Sequence, residues 1–349
     1  MITRLLASVV FAALISTTAP AHSADVSGEI TLTAYSGIFQ DKYNEAVIKP
    51  FLAKYPDVKV NYFPAGASSA MLGNLRSQAG DPQTDVVIFD VSTSLIGDKE
   101  GLLAPLTKTD VPNLADLLPQ AIVKEGYGPA VTFDNLVVIY NKEAFPTAPT
   151  SLEVLWDKAY AGKMAVTSMP SILGSGLMVM TSAMLGEDYT KSVKQSVAKL
   201  AEMAPGVQTF DPKPDAYTLV INGTDVLGTG WNARSHYYAD ESKGKLGVML
   251  PKEGTILQIN TINLVKGAKN PVAAKAFIDY ALSPEAQAAF TEAMFYAPVN
   301  TKAKVSAEAR ARTVAGQLDK TLPLDWAWAA TKSDEWNQLW KRQIISAGK

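Results

Sequence analysis

Short β-rich segments alternate with segments of helical spacing in the first third of the chain, and this alternation constrains the fold most. Strands are indicated at 30–35 (ITLTAY), 58–63 (VKVNYF) and 85–89 (DVVIF), the last apolar enough to be buried on both faces. Apolar residues at helical spacing follow in 41–55 and 67–79. Strands that alternate with helices form βαβ units, so the sequence predicts an α/β fold with a mostly parallel sheet.

Strand-like segments return later in the chain, before a mainly helical last part. The later strands are predicted at 136–140, 163–167, 225–228 and 246–250. From residue 271 onward helices are predicted, and Ser283 followed by Pro284 is a typical helix start. The 349 residues are about twice the length of a typical domain. We therefore expect two α/β units in tandem, with ligands at the carboxyl ends of the strands.

The first 24 residues have the pattern of a signal peptide. Arg4 precedes an apolar run over 5–15, which is shorter than the ~20 residues of a membrane-spanning helix. Small and polar residues then lead to Ala24, a suitable cleavage position. The chain contains no Cys, so a lipid anchor at a lipobox is not expected. The sequence predicts a mature chain that begins near Asp25 and is exported to the periplasm.

Composition argues against several functions. Lys and Arg total 32 against 34 for Asp and Glu, and no basic cluster suggests binding to nucleic acid. Without Cys and with only two His, we expect no metal centre and no cofactor. After export His236 would be the only histidine, and no Gly-x-Ser-x-Gly motif accompanies it, so we expect no Ser-His-acid catalysis. A carboxylate pair for glycoside hydrolysis stays open, because no spacing singles one out.

Three places differ from ordinary scaffold. The first predicted strand ends in Tyr35, Ser36 and Gly37, followed by Phe39, which combines a hydroxyl, a flexible backbone and two aromatic rings. The third ends in Asp90, which is either a ligand contact or a helix cap, and Ser92 follows it.

The third place is the segment 228–234. Trp231 can stack on a ligand, and Arg234 can hold a carboxylate through two parallel hydrogen bonds. The segment 228–234 is therefore a candidate ligand-binding segment.

Several motifs, in this order, resemble the periplasmic solute-binding proteins of ABC importers, in the branch of the spermidine/putrescine-binding proteins. They are Tyr35-Ser36-Gly37, Gly230-Trp231-Asn232, Pro251-Lys252-Glu253-Gly254 leading to Ala268-Lys269-Asn270-Pro271, and Ser283-Pro284-Glu285-Ala286-Gln287. The resemblance implies a two-lobed, type II periplasmic-binding-protein fold that closes on a ligand like a Venus flytrap. It also implies a monomer that catalyses nothing and delivers a small-molecule solute to a membrane permease.

The same resemblance implies how the chain divides between lobes. Lobe one is expected to comprise 25–130 with 260–310, and lobe two 131–259 with 311–349, including the C-terminal helices. The hinge is expected in crossing strands near 133–140 and 258–264.

The chain departs from the polyamine-binding pattern at the ligand. An Asp that pairs with a ligand amine in that branch falls in a segment where this chain has Gln258 and Asn260, and an acidic pair is replaced by 168–170 (SMP). Arg234 would repel a polyamine and attract a carboxylate or phosphonate. Alternatively, Arg234 points to solvent from the first turn of a helix.

The prediction is therefore a zwitterionic ligand such as the ω-amino acid 4-aminobutyrate, or an aminoalkyl phosphonate. Its amine would face Asp90 and its anionic group Arg234. Its methylenes would lie among Trp231, Phe133 and Tyr35.

Three alternatives stay open. A polyamine receptor could use Asp134 and Asp211 as relocated acids. An iron(III) receptor could use Tyr237 and Tyr238, although neighbours on a helix point about 100° apart. A secreted hydrolase is the alternative of a different class.

Overall fold

The computed structural model describes residues 26–349, so the predicted signal peptide lies outside the described residues. The strands are β1 (Gly28–Tyr35), β2 (Val58–Ala65), β3 (Val86–Asp90), β4 (Leu103–Ala104), β5 (Ala130–Asn141), β6 (Met164–Ala165), β7 (Leu227–Trp231), β8 (Leu246–Met249), β9 (Thr255–Val265) and β10 (Thr321–Leu322). All seven strands predicted from the β-rich segments are present, with shifted ends.

Helices connect these strands. The α-helices are α1 (Ile38–Tyr43), α2 (Lys49–Lys54), α3 (Ser68–Ser77), α4 (Val91–Lys99), α5 (Ile172–Met184), α6 (Lys194–Met203), α7 (Ala216–Ile221), α8 (Asn232–Glu241), α9 (Pro271–Ala281), α10 (Pro284–Met294), α11 (Ala307–Ala311), α12 (Trp326–Thr331) and α13 (Ser333–Leu339). Short 3-10 turns lie at Pro112–Asp116, Pro119–Ala121, Leu152–Trp156, Lys158–Tyr160, Ala204–Gly206, Val314–Gly316, Leu318–Lys320 and Ile345–Gly348. None of the helices within residues 26–349 is both long and apolar enough to cross a membrane.

The helix predicted for 41–55 contains a π-helical stretch, Asn44–Ile48, between α1 and α2. Pro50 lies in the first turn of α2 and cannot donate a backbone hydrogen bond to the preceding turn. The local change to π-helical winding lets the helix continue through the proline. A second π-helical stretch, Trp340–Ile344, follows α13.

The strands form one ten-stranded sheet whose main order is β2-β1-β3-β9-β5-β7-β6. β1 is parallel to β2 and β3, and β6 is parallel to β7. β9 runs antiparallel to both β3 and β5, and β5 runs antiparallel to β7. The prediction of a mostly parallel sheet is therefore correct for the outer strands and wrong for the centre. The reason is that β5 and β9 are long crossing strands rather than members of a βαβ unit.

The buried apolar residues form two large cores, which lie along different parts of β5 and β9. One contains Phe39, Phe277 and Phe290, and the other contains the buried Trp336 and Trp340. β5 contributes Ala130, Val131 and Phe133 to the first core, and Leu136, Val138 and Tyr140 to the second. β9 does the same with Ile262 and Ile256. The molecule thus has two lobes joined through β5 and β9, at the positions predicted for the crossing strands, while the residue-level lobe boundaries stay a prediction.

Candidate ligand-binding site

A cavity of about 630 Å³ lies above the crossing strands. Eight of the predicted site residues line it: Tyr35, Phe39, Asp90, Ser92, Trp231, Arg234, Gln258 and Asn260. The other lining residues are Gly66, Ala67, Ser68, Ser69, Thr93, Asp134, Pro170, Ser171, Ile172, Tyr296 and Ser333. Residues from distant parts of the sequence thus meet at one surface of the sheet.

Strand register explains this meeting. Asp90 of β3 pairs with Asn260 of β9, and Gln258 of β9 pairs with Asp134 of β5. Leu136 of β5 pairs in turn with Trp231 of β7. Side chains two residues apart on a strand share a face, so these four strands carry Asp90, Asn260, Gln258, Asp134 and Trp231 on the same face.

Three predicted site residues do not line the cavity. Phe133 is fully buried in the first core, because alternation along β5 turns it away from the face that carries Asp134. The structure therefore does not bring Phe133 to the cavity wall, and the neighbouring Asp134 lines the cavity instead. Ser36 and Gly37 are exposed in the turn after β1, and the φ of +70° at Gly37 suits a residue without a side chain.

Helix N-termini also converge on the cavity. Ala67, Ser68 and Ser69 bring the start of α3 to its wall, and α3 has no side-chain cap. Ser171 caps α5 through the N–H of Leu173, and Ser171 and Ile172 line the cavity. Backbone N–H groups at helix starts carry partial positive charge, so these ends favour an anionic group.

Asp90 caps a helix and lines the cavity at once. Its carboxylate accepts hydrogen bonds from the N–H of Thr93 at 2.9 Å and the hydroxyl of Thr93 at 3.0 Å, and also from the hydroxyl of Ser92. Its own N–H donates to Ser68 Oγ at 3.0 Å. The capping role foreseen as one alternative is therefore present, and the same carboxylate is half-buried beside the cavity.

Asn260 is the centre of a hydrogen-bond network under the cavity. Its Oδ1 accepts from Gln258 Nε2 at 2.6 Å and from the Tyr35 hydroxyl at 3.0 Å, and its Nδ2 donates to Thr132 Oγ1 at 2.9 Å. Burial raises the pKa of Tyr35 well above its ordinary value, and the nearby Asp90 raises it further. Tyr35 is therefore neutral and keeps the hydrogen that it donates to Asn260. Within the described residues, Gln258 Oε1 is buried without a hydrogen-bond partner.

Asp134 is the second acid in the cavity wall. It is 2% exposed, and its Oδ1 accepts from the N–H of Asn135 at 2.8 Å and of Ala233 at 3.0 Å. Burial raises the pKa of Asp134 to about 7, although these N–H groups and Arg234 act in the opposite direction. Asp134 therefore holds its proton to a much higher pH than an exposed aspartate does.

Arg234 supplies a fixed positive charge to the wall. It stands in the first turn of α8, and its side chain lines the cavity, so the solvent-facing alternative is not what the structure has. Burial lowers the pKa of the Arg234 guanidinium, but Tyr217, Tyr296, Tyr238 and Asp134 together raise it above its ordinary value. Among residues 26–349, no side chain forms an ion pair of 4 Å or less with Arg234. The guanidinium is therefore charged and available to a ligand.

Sequence reasoning missed part of the wall. Tyr296 follows α10 directly and stacks on Phe290 at 5.3 Å, and no local motif marks it as a site residue. Ser171 carried a usable signal, because Ser before an apolar helical run is a typical N-cap. Ser333 reaches the cavity from the C-terminal helices, which the sequence gave no reason to place there.

The tyrosine pair lies elsewhere. Tyr237 and Tyr238 do not belong to the cavity wall, and Tyr238 packs on Tyr217 at 5.2 Å between ring centroids. In the described part of the chain, no cluster of three or more His, Asp or Glu side chains is arranged to hold a metal ion. The two tyrosines therefore act as packing residues in this structure.

The chain matches the family model described as bacterial extracellular solute-binding protein over residues 46–314, and it belongs to this family. A spermidine/putrescine-binding periplasmic protein 1 from Haemophilus influenzae is 26% identical over 272 residues, covering 72% of this chain and 71% of the relative. A gamma-aminobutyric acid-binding protein from Pseudomonas aeruginosa is 23% identical over 284 residues and 78% of each chain.

The fold agrees with this family. The crystal structure of an ABC transporter substrate-binding protein from Bradyrhizobium japonicum has a TM-score of 0.78 at 23% identity, covering 92% of this chain and 99% of that one. The family match and the curated relatives identify the protein as a periplasmic solute-binding component of an ABC importer, which captures a small solute and works with a membrane permease. The curated relatives are transport proteins rather than enzymes.

Proposed function

We propose that this receptor captures a short zwitterion, with an ω-amino acid such as 4-aminobutyrate as the preferred ligand. The observation that carries the proposal is the cavity-lining guanidinium of Arg234, which has no ion-pair partner among the described residues. Arg234 is half-buried, so its charge is partly desolvated without a partner. A ligand carboxylate would offset that cost by accepting two parallel hydrogen bonds.

The amine of the ligand would bind at the other end of the same sheet face. Asp90 and Gln258 lie on that face, and both line the cavity. The Asp90 carboxylate supplies negative charge, and the buried, unpartnered Gln258 Oε1 supplies an acceptor. Between the two ends, Tyr35 and Trp231 provide aromatic walls for the methylenes.

An aminoalkyl phosphonate would fit the same arrangement. A phosphonate has one more oxygen and more negative charge than a carboxylate, and the partial positive charge of the helix starts that line the cavity favours an anionic ligand. Either anionic group would therefore face Arg234. The helix starts would contribute more to the binding of a phosphonate than to the binding of a carboxylate.

A polyamine receptor is the second candidate, and Asp134 is the observation that favours it. With Asp90 it places two acids in the cavity wall, as a diamine would need. Asp211, the other acid considered, is exposed, pairs with Lys213 at 3.0 Å and lies outside the wall. Against this candidate, Arg234 would have to be desolvated next to a polycation.

We further propose that the mature chain begins near Asp25, carries no lipid anchor and acts as a monomer. The lobe limits at 130/131, 259/260 and 310/311 belong to the same proposal. The small residues before Ala24 and the lack of Cys support the first two points.

Thermal unfolding of the mature protein with a panel of ligands tests the proposed specificity. The panel is 4-aminobutyrate, 2-aminoethylphosphonate, putrescine, spermidine and ferric citrate. A ligand at 100 times its Kd should stabilise the folded protein by about 2.7 kcal/mol, which raises Tm measurably. We expect a rise with one or both zwitterions and none with the polyamines. A rise with polyamines alone would overturn the proposal in favour of the second candidate.

A further inference from the structure

Arg312 lies outside the cavity, and its side chain contacts two segments that end in the cavity wall. Its side chain is 19% exposed and follows α11. Nη2 is 2.8 Å from Asp240 Oδ1 and donates to the backbone oxygen of His236 at 3.0 Å. Nε donates to His236 Nδ1 at 3.3 Å.

The backbone of Arg312 contacts the same helix. Its carbonyl accepts from Asn232 Nδ2 at 2.8 Å. Asn232, His236 and Asp240 are spaced by four residues, so they share one face of α8. Arg234 is two residues from Asn232 and from His236, about 200° around the helix, which places it on the opposite face. Arg312 thus contacts one face of α8, and Arg234 extends into the cavity from the opposite face.

The second segment held by Arg312 is the end of α10. The guanidinium carbon of Arg312 lies 3.8 Å from the centroid of the Phe295 ring, a close cation–π contact. Phe295 has a φ of 57° and terminates α10, and the next residue is the cavity-lining Tyr296. One side chain therefore fixes α8 relative to the segment that presents Tyr296.

We propose that Arg312 is a positioning residue for the binding site: it holds α8 against the 295–296 segment and so keeps Arg234 aimed into the cavity. The effect on ligand rests on the proposed role of Arg234. The effect on α8 does not depend on any ligand. Lysine cannot replace this residue, because it lacks the planar fork that reaches both His236 and Asp240 while stacking on Phe295.

Hydrogen exchange in the ligand-free protein tests the contact with α8. We expect Arg312→Met to increase amide exchange in 232–241 and at 295–296, and Arg312→Lys to do nearly the same. Arg310→Met is the matched control, since Arg310 is exposed and lies in the last turn of α11, two residues before Arg312. Exchange in α8 that equals that of the unsubstituted protein in the two Arg312 variants would overturn the proposal.

Binding of 4-aminobutyrate to the single and double variants tests the link to the ligand. We expect Arg312→Met to weaken binding by about tenfold, and to have little further effect when Arg234 is already replaced by Met, because residues that act through one another are not additive. If Arg312→Met binds with full affinity while Arg234→Met loses affinity, the positioning role of Arg312 is refuted and the proposed function is not. Unchanged affinity in Arg234→Met would instead refute the proposed function, and the exchange result would still decide the role of Arg312 in α8.

Discussion

Replacement of Arg234 by methionine is expected to weaken the binding of 4-aminobutyrate by about 100- to 1,000-fold, in the range measured when one partner of a buried charge pair is removed. Methionine keeps an unbranched, apolar side chain of similar reach, but it supplies no charge and no donor. The ligand carboxylate would then be desolvated against Tyr296 and the start of α8 without a counter-charge.

Calorimetric titration of the variant and of the unsubstituted protein measures this loss. Arg310→Met is the matched control, because it removes an exposed arginine and should leave the affinity unchanged. Equal affinities in Arg234→Met and in the unsubstituted protein would mean that the carboxylate is bound elsewhere.

Replacement of Asp134 by asparagine is expected to stabilise the ligand-free protein at pH 7.5 by up to about 4 kcal/mol, the equivalent of the pKa difference between the folded and unfolded states. Burial raises the pKa of Asp134 to about 7, whereas an unfolded aspartate ionises near 3.8. The folded state therefore binds more protons between about pH 4 and 7, and the contribution of Asp134 to stability is lost as the pH rises through that range. Asparagine carries no charge and keeps an acceptor for the N–H groups of Asn135 and Ala233.

Urea unfolding of both proteins at pH 4.5 and 7.5 gives the free-energy difference directly. The stability gain of Asp134→Asn should be small at pH 4.5 and large at pH 7.5. Burial also lowers the pKa of His236 to about 4, so His236 changes the stability of both proteins in the opposite sense over the same pH range. The difference in unfolding free energy between the two proteins removes this shared contribution. A gain that does not depend on pH would show that Asp134 ionises normally in the folded protein.

The sequence predicted the elements well because their signals are local. The apolar run at 85–89 and the alternating residues at 30–35 and 58–63 appear as neighbouring parallel strands. Local patterns do not give strand direction, so the antiparallel centre of the sheet was not foreseen. It arises from pairing between β5 and β9, whose paired residues are more than a hundred positions apart in the chain.

The sequence indicates those cavity-lining residues that stand at strand ends or helix starts. It does not indicate those that only the tertiary fold brings to the cavity. Asp90, Trp231 and Arg234 were found from their positions at strand ends and helix starts. Phe133 was expected at the cavity, but its neighbour Asp134 lines it, because resemblance to a family does not fix which face of β5 points to the cavity. Tyr296 and Arg312 carry no local signal, since each is held in its position by contacts with segments far away in the sequence.

Comparative calorimetry with 4-aminobutyrate and putrescine directly tests whether the cavity binds a zwitterion in preference to a diamine. The two ligands carry an amine at one end of a similar carbon chain, and they differ at the other end, which is a carboxylate in one and a second amine in the other. If Arg234 receives an anionic group, 4-aminobutyrate should bind at least tenfold more tightly, a difference of about 1.4 kcal/mol. Tighter binding of putrescine would contradict the proposed zwitterion specificity and would assign the cavity to polyamines, bound through Asp90 and Asp134.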